Sequence, residues 1–243
     1  MTDSVSYIYL MARQIPPDRF QALHAAATEI LIAEGYGRTQ MDDIAKALGV
    51  AKGTLYQYVE SKQALFDFVL RHVHPGASIP VPDSLPLPTP RPGATLRFVR
   101  EQIEREGQLP RLATALAEPT PPADPAAELD EIVRELFELL TRNRVGIKLL
   151  ERCSRDYPEL HAIWHGAGRY TVVDLLCAFI TARIKMGCYA PAPDPRVSAR
   201  FVQELVTTWA VHVHWDTAPQ DISEGAALET ALRFVRGGLL LNP

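Results

Sequence analysis

The stretch that most constrains the fold is residues 39–65, TQMDDIAKALGVAKGTLYQYVESKQAL, which has the pattern of two short helices joined by a tight turn. Four apolar residues before the turn recur at three- and four-residue spacing and so share one helix face: Met41, Ile44, Ala45 and Leu48. Gly49 is expected to end this helix, since glycine readily adopts the left-handed conformation of a sharp exit. Thr39 and Asp42 predict an acidic variant of the capping box at its start. This pattern is typical of a helix-turn-helix, whose second helix enters the major groove of DNA.

The same stretch resembles the DNA-binding domain of the TetR (tetracycline-repressor) family of bacterial regulators. The likeness rests on Ile44 and Ala45, Gly49 and Val50, Gly53 to Tyr56, Tyr58, and Ser61 with Lys62. The sequence departs from the family pattern at Leu48, Ala51 and Val59, where the family usually has alanine, serine and phenylalanine. Ala51 removes a side-chain cap from the second helix, at a cost of about 1 kcal/mol. The resemblance covers residues 18–74 and implies a homodimeric regulator of transcription.

Polar residues on and around the second helix are the expected DNA contacts. Lys52 and Gln57 have the reach to contact base edges in the major groove. The residues expected to hold the phosphate backbone are Thr39, Thr54, Tyr56, Tyr58 and Lys62. Gln40 and Gly53 complete the predicted DNA-binding set. Because the net charge is −4, affinity must come from the placement of these groups, from helix N-termini and from dimer avidity rather than from bulk charge.

A proline-rich segment divides the chain. Seven prolines fall within residues 75–93, a density that no helix or central strand tolerates, so this segment is predicted to be an extended linker. We predict a helix-turn-helix DNA-binding domain over residues 1–74, with an N-terminal arm over 1–15. A larger helical ligand-binding and dimerisation domain is predicted over 94–243. The apolar period is helical throughout and shows no period-two alternation, so the predicted fold class is all-α.

Two segments of the second domain predict a dimer interface. They are expected to be helices from about residue 161 to 185 and from 196 to about 215, and both carry apolar residues on more than one face. Such helices are buried on more than one face, so we expect them to pack against their symmetry mates as a four-helix interface. The predicted interface residues are Val173, Leu176, Phe179, Ile180, Val202, Val206 and Trp209.

Bulky side chains between the helices of the second domain predict a small-molecule pocket, in line with the family resemblance. The predicted lining residues are Phe98, Phe137, Trp164, Tyr170, Trp209 and His212. The apolar stripes of these helices contain few acids or bases, and no basic cluster is placed to bind a phosphate. The expected effector is therefore uncharged or weakly charged and hydrophobic.

The sequence lacks the motifs typical of an enzyme, such as a phosphate-binding glycine loop, a nucleophile elbow or a cysteine cluster. His161 and His165 stand four residues apart, but two ligands leave a metal site incomplete, so we expect neither a metal nor another cofactor. Three widely spaced cysteines indicate a reducing compartment. With no signal peptide and no apolar run long enough to span a membrane, a cytoplasmic protein without membrane contact is expected.

The sequence therefore favours a repressor that a small hydrophobic effector releases from a double-stranded DNA operator. One alternative is an architectural DNA-binding protein that needs no effector. Another is a small-molecule carrier or enzyme with a vestigial DNA-binding head. Thermal stabilisation by a compound separates the first alternative from the repressor, and a mobility-shift assay on operator DNA tests the second.

Overall fold

The computed structural model describes residues 17–73, 79–80, 82–218 and 221–241, and the regular structure in these ranges is helical. The helices are α1 (Pro17–Arg38), α2 (Met41–Ala47), α3 (Lys52–Leu55), α4 (Lys62–Arg71), α5 (Ala94–Glu106), α6 (Pro110–Ala117), α7 (Pro125–Arg142), α8 (Arg144–Cys153), α9 (Pro158–Ile163), α10 (Thr171–Lys185), α11 (Pro195–Ala210) and α12 (Glu224–Leu239). The all-α prediction is confirmed, whereas the predicted arm over 1–15 lies outside the described residues. No helix in these ranges is long and apolar enough to cross a bilayer.

The helix-turn-helix is formed by α2 and α3. Gly49 has φ of +65°, which is the left-handed exit that the sequence predicts. The start of α2 differs from the prediction, because its N-cap is Gln40, which makes no side-chain cap hydrogen bond. The hydroxyl of Thr39 instead donates to the carbonyl oxygen of Gly35 at 2.7 Å. The capping box expected from Thr39 is therefore not formed, and this residue fastens α2 to the end of α1.

The hydrophobic core around α1 to α4 continues into later parts of the chain. Residues of α1, α2, α3 and α4 form one cluster with residues of α8 and α9, including Phe20, Leu31, Ile44, Leu55, Leu65, Leu149, Cys153 and Leu160. A second cluster joins α6, α7, α10, α11 and α12, including Leu112, Leu136, Phe179, Val206 and Leu232. Helix α8 therefore belongs to the packing of the helix-turn-helix although it follows the proline-rich segment in sequence.

A buried ion pair joins three helices of the second cluster. Arg183 of α10 is 1 % exposed, and its guanidinium donates two hydrogen bonds to the carboxylate of Glu128 in α7, each at 2.7 Å. It also donates to the carbonyl oxygen of Ala115 in α6 at 2.7 Å. Because a buried charge without partners is costly, these bonds fix α6, α7 and α10 relative to each other.

Helix breaks in the second half of the chain differ from the predicted ones. The helix expected over 161–185 is interrupted by a π-helical turn, Trp164–Tyr170, which contains Gly166 and Gly168. Glycine has a low helix propensity, and a Cβ at Gly168 would lie 3.2 Å from the ring of Trp164. The break between α7 and α8 falls at Asn143, which ends α7 and precedes α8.

Part of the proline-rich segment is bound to the chain that follows the second helix of the helix-turn-helix. The N–H of Leu87 donates to the carbonyl oxygen of Tyr58 at 2.8 Å, and the N–H of Glu60 donates to the carbonyl oxygen of Leu87 at 3.0 Å. Nearby, the N–H of Thr89 donates to the Glu60 carboxylate at 2.7 Å, and the hydroxyls of Ser61 and Thr89 lie 2.7 Å apart. The residues around Leu87 are therefore held against the helix-turn-helix.

Candidate DNA interface and ligand cavity

The exposed surface around α3 contains most of the predicted DNA contacts. Leu55 anchors α3 in the core, with no exposed surface, so the remaining faces of this short helix point outward. Gln40, Lys52, Gly53 and Gln57 are exposed. Tyr56 is 41 % exposed. These five residues remain the candidates for contact with DNA.

Three other residues predicted to contact DNA are buried or half-buried. Thr39 is buried, and its hydroxyl donates a hydrogen bond to the carbonyl oxygen of Gly35. Because it has no surface left for a phosphate, we reassign Thr39 to a structural role. Tyr58 is half-buried, with its ring edge-on to Phe20 at a centroid distance of 5.8 Å. Thr54 is also half-buried.

The ammonium of Lys62 is engaged within the protein. Its Nζ donates to the carbonyl oxygen of Gly37 at 3.2 Å and lies 4.6 Å from the centroid of the Tyr36 ring. Burial lowers the pKa of Lys62. These contacts join the start of α4 to the end of α1, so Lys62 has a structural role that the sequence did not reveal.

A cavity of about 420 Å³ lies among α5, α7, α8, α10 and α11. Its apolar lining includes Leu70, Val73, Phe98, Val99, Ile103, Leu139, Leu140, Ile147, Leu150, Trp164, Val172 and Leu175. The volume is within the usual range of small-molecule sites, about 300 to 1,000 Å³. A space of this size with mostly apolar walls is suited to an apolar ligand.

The predicted pocket residues divide into two groups. Phe98, Trp164 and His212 line the cavity. Phe137 is buried in the second hydrophobic cluster, and Trp209 packs against that cluster from a half-buried position. Tyr170 is 46 % exposed. Phe137, Trp209 and Tyr170 are therefore not in the cavity wall, because apolar spacing alone cannot tell which neighbour a helix face meets.

The polar lining residues that the sequence interpretation missed include two on α11 and one on α8. Gln203 and Thr207 occur one turn apart on α11, and His212 follows the end of that helix. Glu151 of α8 also lines the cavity, with Oε2 at 3.7 Å from Nδ1 of His212. The signal that could have identified Gln203 is its place between Val202 and Val206, in a helix whose other buried residues are apolar.

Helix α8 connects the cavity wall to α1. Leu150 and Glu151 line the cavity, whereas the next residue, Arg152, points to the other side of the helix. Its Nε donates to the carbonyl oxygen of Ile32 at 2.8 Å, and its Nη2 donates to that of Ala33 at 2.6 Å. One turn of α8 therefore contacts both the cavity and the helix that supports the helix-turn-helix.

A second connection follows just after α8. The carboxylate of Asp156 accepts a hydrogen bond from the N–H of Gly37 at 3.0 Å. Gly35 has φ of 79° and ψ of 170°, and a Cβ at this position would lie 2.9 Å from Oδ2 of Asp156. This close approach and the backbone conformation both require glycine.

The residues predicted for the dimer interface lie largely inside the protomer. Val173, Leu176, Phe179, Ile180, Val202 and Val206 are all buried, and Trp209 is half-buried. A side chain covered by its own protomer has no surface left for a partner, so we reassign these six buried residues to the core. The exposed large apolar residues nearby are Val197 and Phe201 on α11 and Phe234 on α12.

The two histidines considered as metal ligands are adjacent. The ring centroids of His161 and His165 are 4.1 Å apart. Across the described ranges, no group of three or more His, Cys, Asp and Glu residues is placed to hold a metal ion. The pair therefore has no third ligand in the described structure.

Comparison with known proteins agrees with this geometry. Residues 23–69 match the family model described as bacterial regulatory proteins, tetR family. The ketosteroid transcriptional regulator KstR2 of Mycobacterium tuberculosis is similar in fold, with a TM-score of 0.56 at 16 % identity over 94 % of this chain and 98 % of that one. AibR, solved with isovaleryl coenzyme A and operator DNA, has a TM-score of 0.51 at 18 % identity over 89 % and 97 %. No curated protein matches the chain.

A helix-turn-helix with a polar exposed face, carried on an all-helical fold, defines a DNA-binding protein. The match over residues 23–69 assigns this segment to the DNA-binding domains of the tetR family, and the likeness to KstR2 and AibR shows that the all-helical fold is shared over most of the chain.

Proposed function

We propose that the protein is a repressor that binds a double-stranded DNA operator as a homodimer and is released by a small hydrophobic effector. The observation that carries this proposal is the shared use of α8, where Glu151 lines the cavity and Arg152 bonds to α1. A ligand that changes the position of α8 therefore acts on the support of the helix-turn-helix. Differential affinity of the ligand for two positions of α8 is what such a release requires.

The proposed DNA contacts follow from exposure and side-chain chemistry. Lys52 and Gln57 are assigned to base edges in the major groove. Tyr56 and Gln40 are assigned to the phosphate backbone, which fixes register. Since one short helix makes few contacts, two helix-turn-helix units in a dimer are needed for adequate affinity.

The proposed dimer interface is the exposed apolar surface of α11 and α12. Phe201 of α11 is 72 % exposed and Phe234 of α12 is 69 % exposed, and α11 packs against α12 within the protomer. Val197 is exposed one turn before Phe201, and the small residues Gly237 and Gly238 follow Phe234. Large apolar side chains beside small ones allow two copies to pack closely, and exposed aromatic residues of this kind mark interaction surfaces.

The proposal is tested with DNA from upstream of the protein's own gene and a panel of metabolites and drugs. We expect a mobility shift with this DNA, and we expect each hydrophobic compound that raises the melting temperature to reduce the shift. A compound that stabilises the protein without reducing DNA binding would favour the effector-independent alternative. If the protein fails to bind any operator fragment, the carrier or enzyme alternative is favoured.

A further inference from the structure

Gln203 lines the cavity and carries a fixed hydrogen-bond acceptor. The residue is 6 % exposed, and its Nε2 donates to the carbonyl oxygen of Arg169 at 3.1 Å. Because a carbonyl oxygen can only accept, this bond fixes which end of the amide is the NH₂ group. The other end, Oε1, is buried and has no hydrogen-bond partner in the described structure. An unsatisfied buried acceptor is costly, and a ligand that donates a hydrogen bond removes this cost.

Glu151 supplies a second acceptor at the same wall. Its Oε2 is buried without a hydrogen-bond partner within the described ranges. Nζ of Lys148 lies 3.5 Å away and Nδ1 of His212 lies 3.7 Å away, distances that are long for a hydrogen bond. Burial lowers the pKa of His212, and the opposite effect of the Glu151 charge is smaller, so the imidazole is neutral near pH 7. Lys148 therefore provides the charge that offsets Glu151.

The ionised groups of the lining disfavour an anionic ligand. The acidic lining residues are Glu104, Glu106 and Glu151, and the one Lys or Arg side chain among the described lining residues is Arg169. Arg169 already forms an ion pair with Glu204. A carboxylate or phosphate entering this cavity would therefore lose its hydration without gaining a cation. A cationic ligand would compete with Lys148 for the carboxylate of Glu151.

A hydroxyl group matches the remaining polar atoms. It donates one hydrogen bond and accepts others, so it satisfies an acceptor such as Gln203 Oε1. Trp164, which also lines the cavity, has an Nε1 donor without a hydrogen-bond partner in the described part of the chain. A ligand oxygen is the group that this indole N–H requires. The apolar surface of α5 and α7 contacts the rest of the molecule.

From these observations we infer that the cavity binds a neutral alcohol or phenol with an apolar body, whose hydroxyl donates to Gln203 or Glu151. The inference rests on the proposed function in one respect, because it names the chemical class of the effector for the same cavity. It excludes acyl anions and alkylammonium cations as preferred ligands.

Four probes with the same decyl chain test the inference: 1-decanol, decyl methyl ether, undecanoate and decylammonium. Dissociation constants are measured near neutral pH from Trp fluorescence and from thermal shift. We expect decanol to bind about fivefold more tightly than its ether, since the ether lacks the donated hydrogen bond. We expect undecanoate and decylammonium to bind at least about tenfold more weakly than decanol, because each adds a charge that the cavity does not offset.

Substitutions then locate the acceptor. Gln203→Leu keeps the approximate side-chain size and removes both polar atoms, so it should lower decanol affinity toward that of the ether while ether affinity stays the same. Glu151→Gln removes the charge and should bring undecanoate closer to decanol. Thr208→Val is the matched control, because Thr208 is exposed on α11 and should leave every affinity unchanged. Circular dichroism checks folding, and Glu151→Gln serves as the second test if Gln203→Leu does not fold.

The inference is overturned if undecanoate or decylammonium binds as tightly as decanol, if alcohol and ether bind equally, or if none of the probes binds. DNA binding is measured separately in a mobility-shift assay. Decanol binding without DNA release would refute the proposed effector role and leave the ligand class intact. Release of DNA by a carboxylate would refute the ligand class and leave the proposed repressor function intact.

Discussion

Arg152 of α8 donates a hydrogen bond from Nε to the carbonyl oxygen of Ile32 in α1, at 2.8 Å. The two residues are far apart in sequence, and the bond joins the helix that borders the cavity to the helix that supports the helix-turn-helix. It is a charged donor on a backbone acceptor, which is stronger than a neutral hydrogen bond. The link is thus suited to transmit a displacement of α8 to α1.

Replacing Arg152 tests this link. We expect Arg152→Ala to lower the free energy of unfolding by about 1 to 3 kcal/mol, because the α1 carbonyl oxygens lose a charged donor. The effector concentration needed for DNA release should rise, since α8 and α1 become less tightly coupled. Urea denaturation and effector titration of the DNA complex measure the two effects. Arg155→Ala is the control, as Arg155 is exposed nearby; equal effects of both substitutions would contradict the assignment.

Gln57 and Tyr56 are expected to affect DNA binding differently. Gln57→Ala should reduce discrimination between operator and scrambled DNA, by about 1 to 3 kcal/mol if the side chain contacts a base edge. Tyr56→Ala should weaken binding to both DNAs equally, because a phosphate contact carries no sequence information. Fluorescence anisotropy with the two duplexes measures this. Tyr170→Ala, at a comparably exposed tyrosine outside the helix-turn-helix, should have no effect, and unchanged operator affinity in Tyr56→Ala would refute the proposed contact.

Lys62 is expected to contribute to stability more than to DNA affinity. Lys62→Met keeps a flexible side chain but removes the bond to Gly37 and the cation above Tyr36, so the free energy of unfolding should fall by about 1 to 2 kcal/mol. The slope of log affinity against log salt concentration should stay the same. A phosphate contact would instead reduce that slope by about one. Denaturation and DNA titrations at several salt concentrations decide between the two roles.

The exposed phenylalanines test the dimer. Phe201→Glu and Phe234→Glu should each shift sedimentation from dimer to monomer while preserving helical content, because a charge in an apolar interface must be desolvated. Val206→Asp should unfold the chain instead, since Val206 is buried in the protomer core. Ile222→Glu, at an exposed residue that precedes α12, should leave the dimer intact. A wild-type monomer at micromolar concentration would rule out the interface.

Gly35 is expected to tolerate no side chain. Gly35→Ala should lower stability by about 1 to 3 kcal/mol, because its backbone conformation is one that other residues rarely adopt and the added Cβ would crowd Asp156. Gly225→Ala is the matched control. A Cβ at Gly225 meets no neighbouring atom within 4 Å, and alanine favours the helix. Thermal denaturation of both variants gives the comparison, and equal melting temperatures would contradict the strain assigned to Gly35.

Local sequence signals predicted the helix-turn-helix well. The exit at Gly49, which has φ of +65°, depends on neighbours within a few residues. The role of Thr39 was missed because its partner, Gly35, belongs to the preceding helix. The role of Lys62 was missed because Gly37 and Tyr36 lie far from it in sequence.

The cavity and the protomer core were harder to predict, because an apolar stripe does not identify the surface that covers it. Phe98 and Phe137 carry the same signal, but Phe98 lines the cavity and Phe137 lies in the second cluster. Val202 and Val206 are covered by other helices of the same protomer. Their apolar stripe therefore did not indicate contact with a second subunit. Gln203 departs from that stripe, and such a polar interruption is the sequence signal to examine.

The hydrogen bonds of Leu87 to Tyr58 and Glu60 provide a second connection between the cavity and the helix-turn-helix. After α4 the backbone returns to the helix-turn-helix at Leu87 and only then enters α5, where Phe98 and Val99 border the cavity. A short route from the cavity to the helix-turn-helix therefore follows the backbone from α5 to Leu87 and crosses the hydrogen bonds of Leu87 to Tyr58 and Glu60. Cleavage of the backbone between Thr89 and Ala94 would cut this route while leaving the hydrogen bonds of α8 to α1 in place, so the two routes can be separated experimentally.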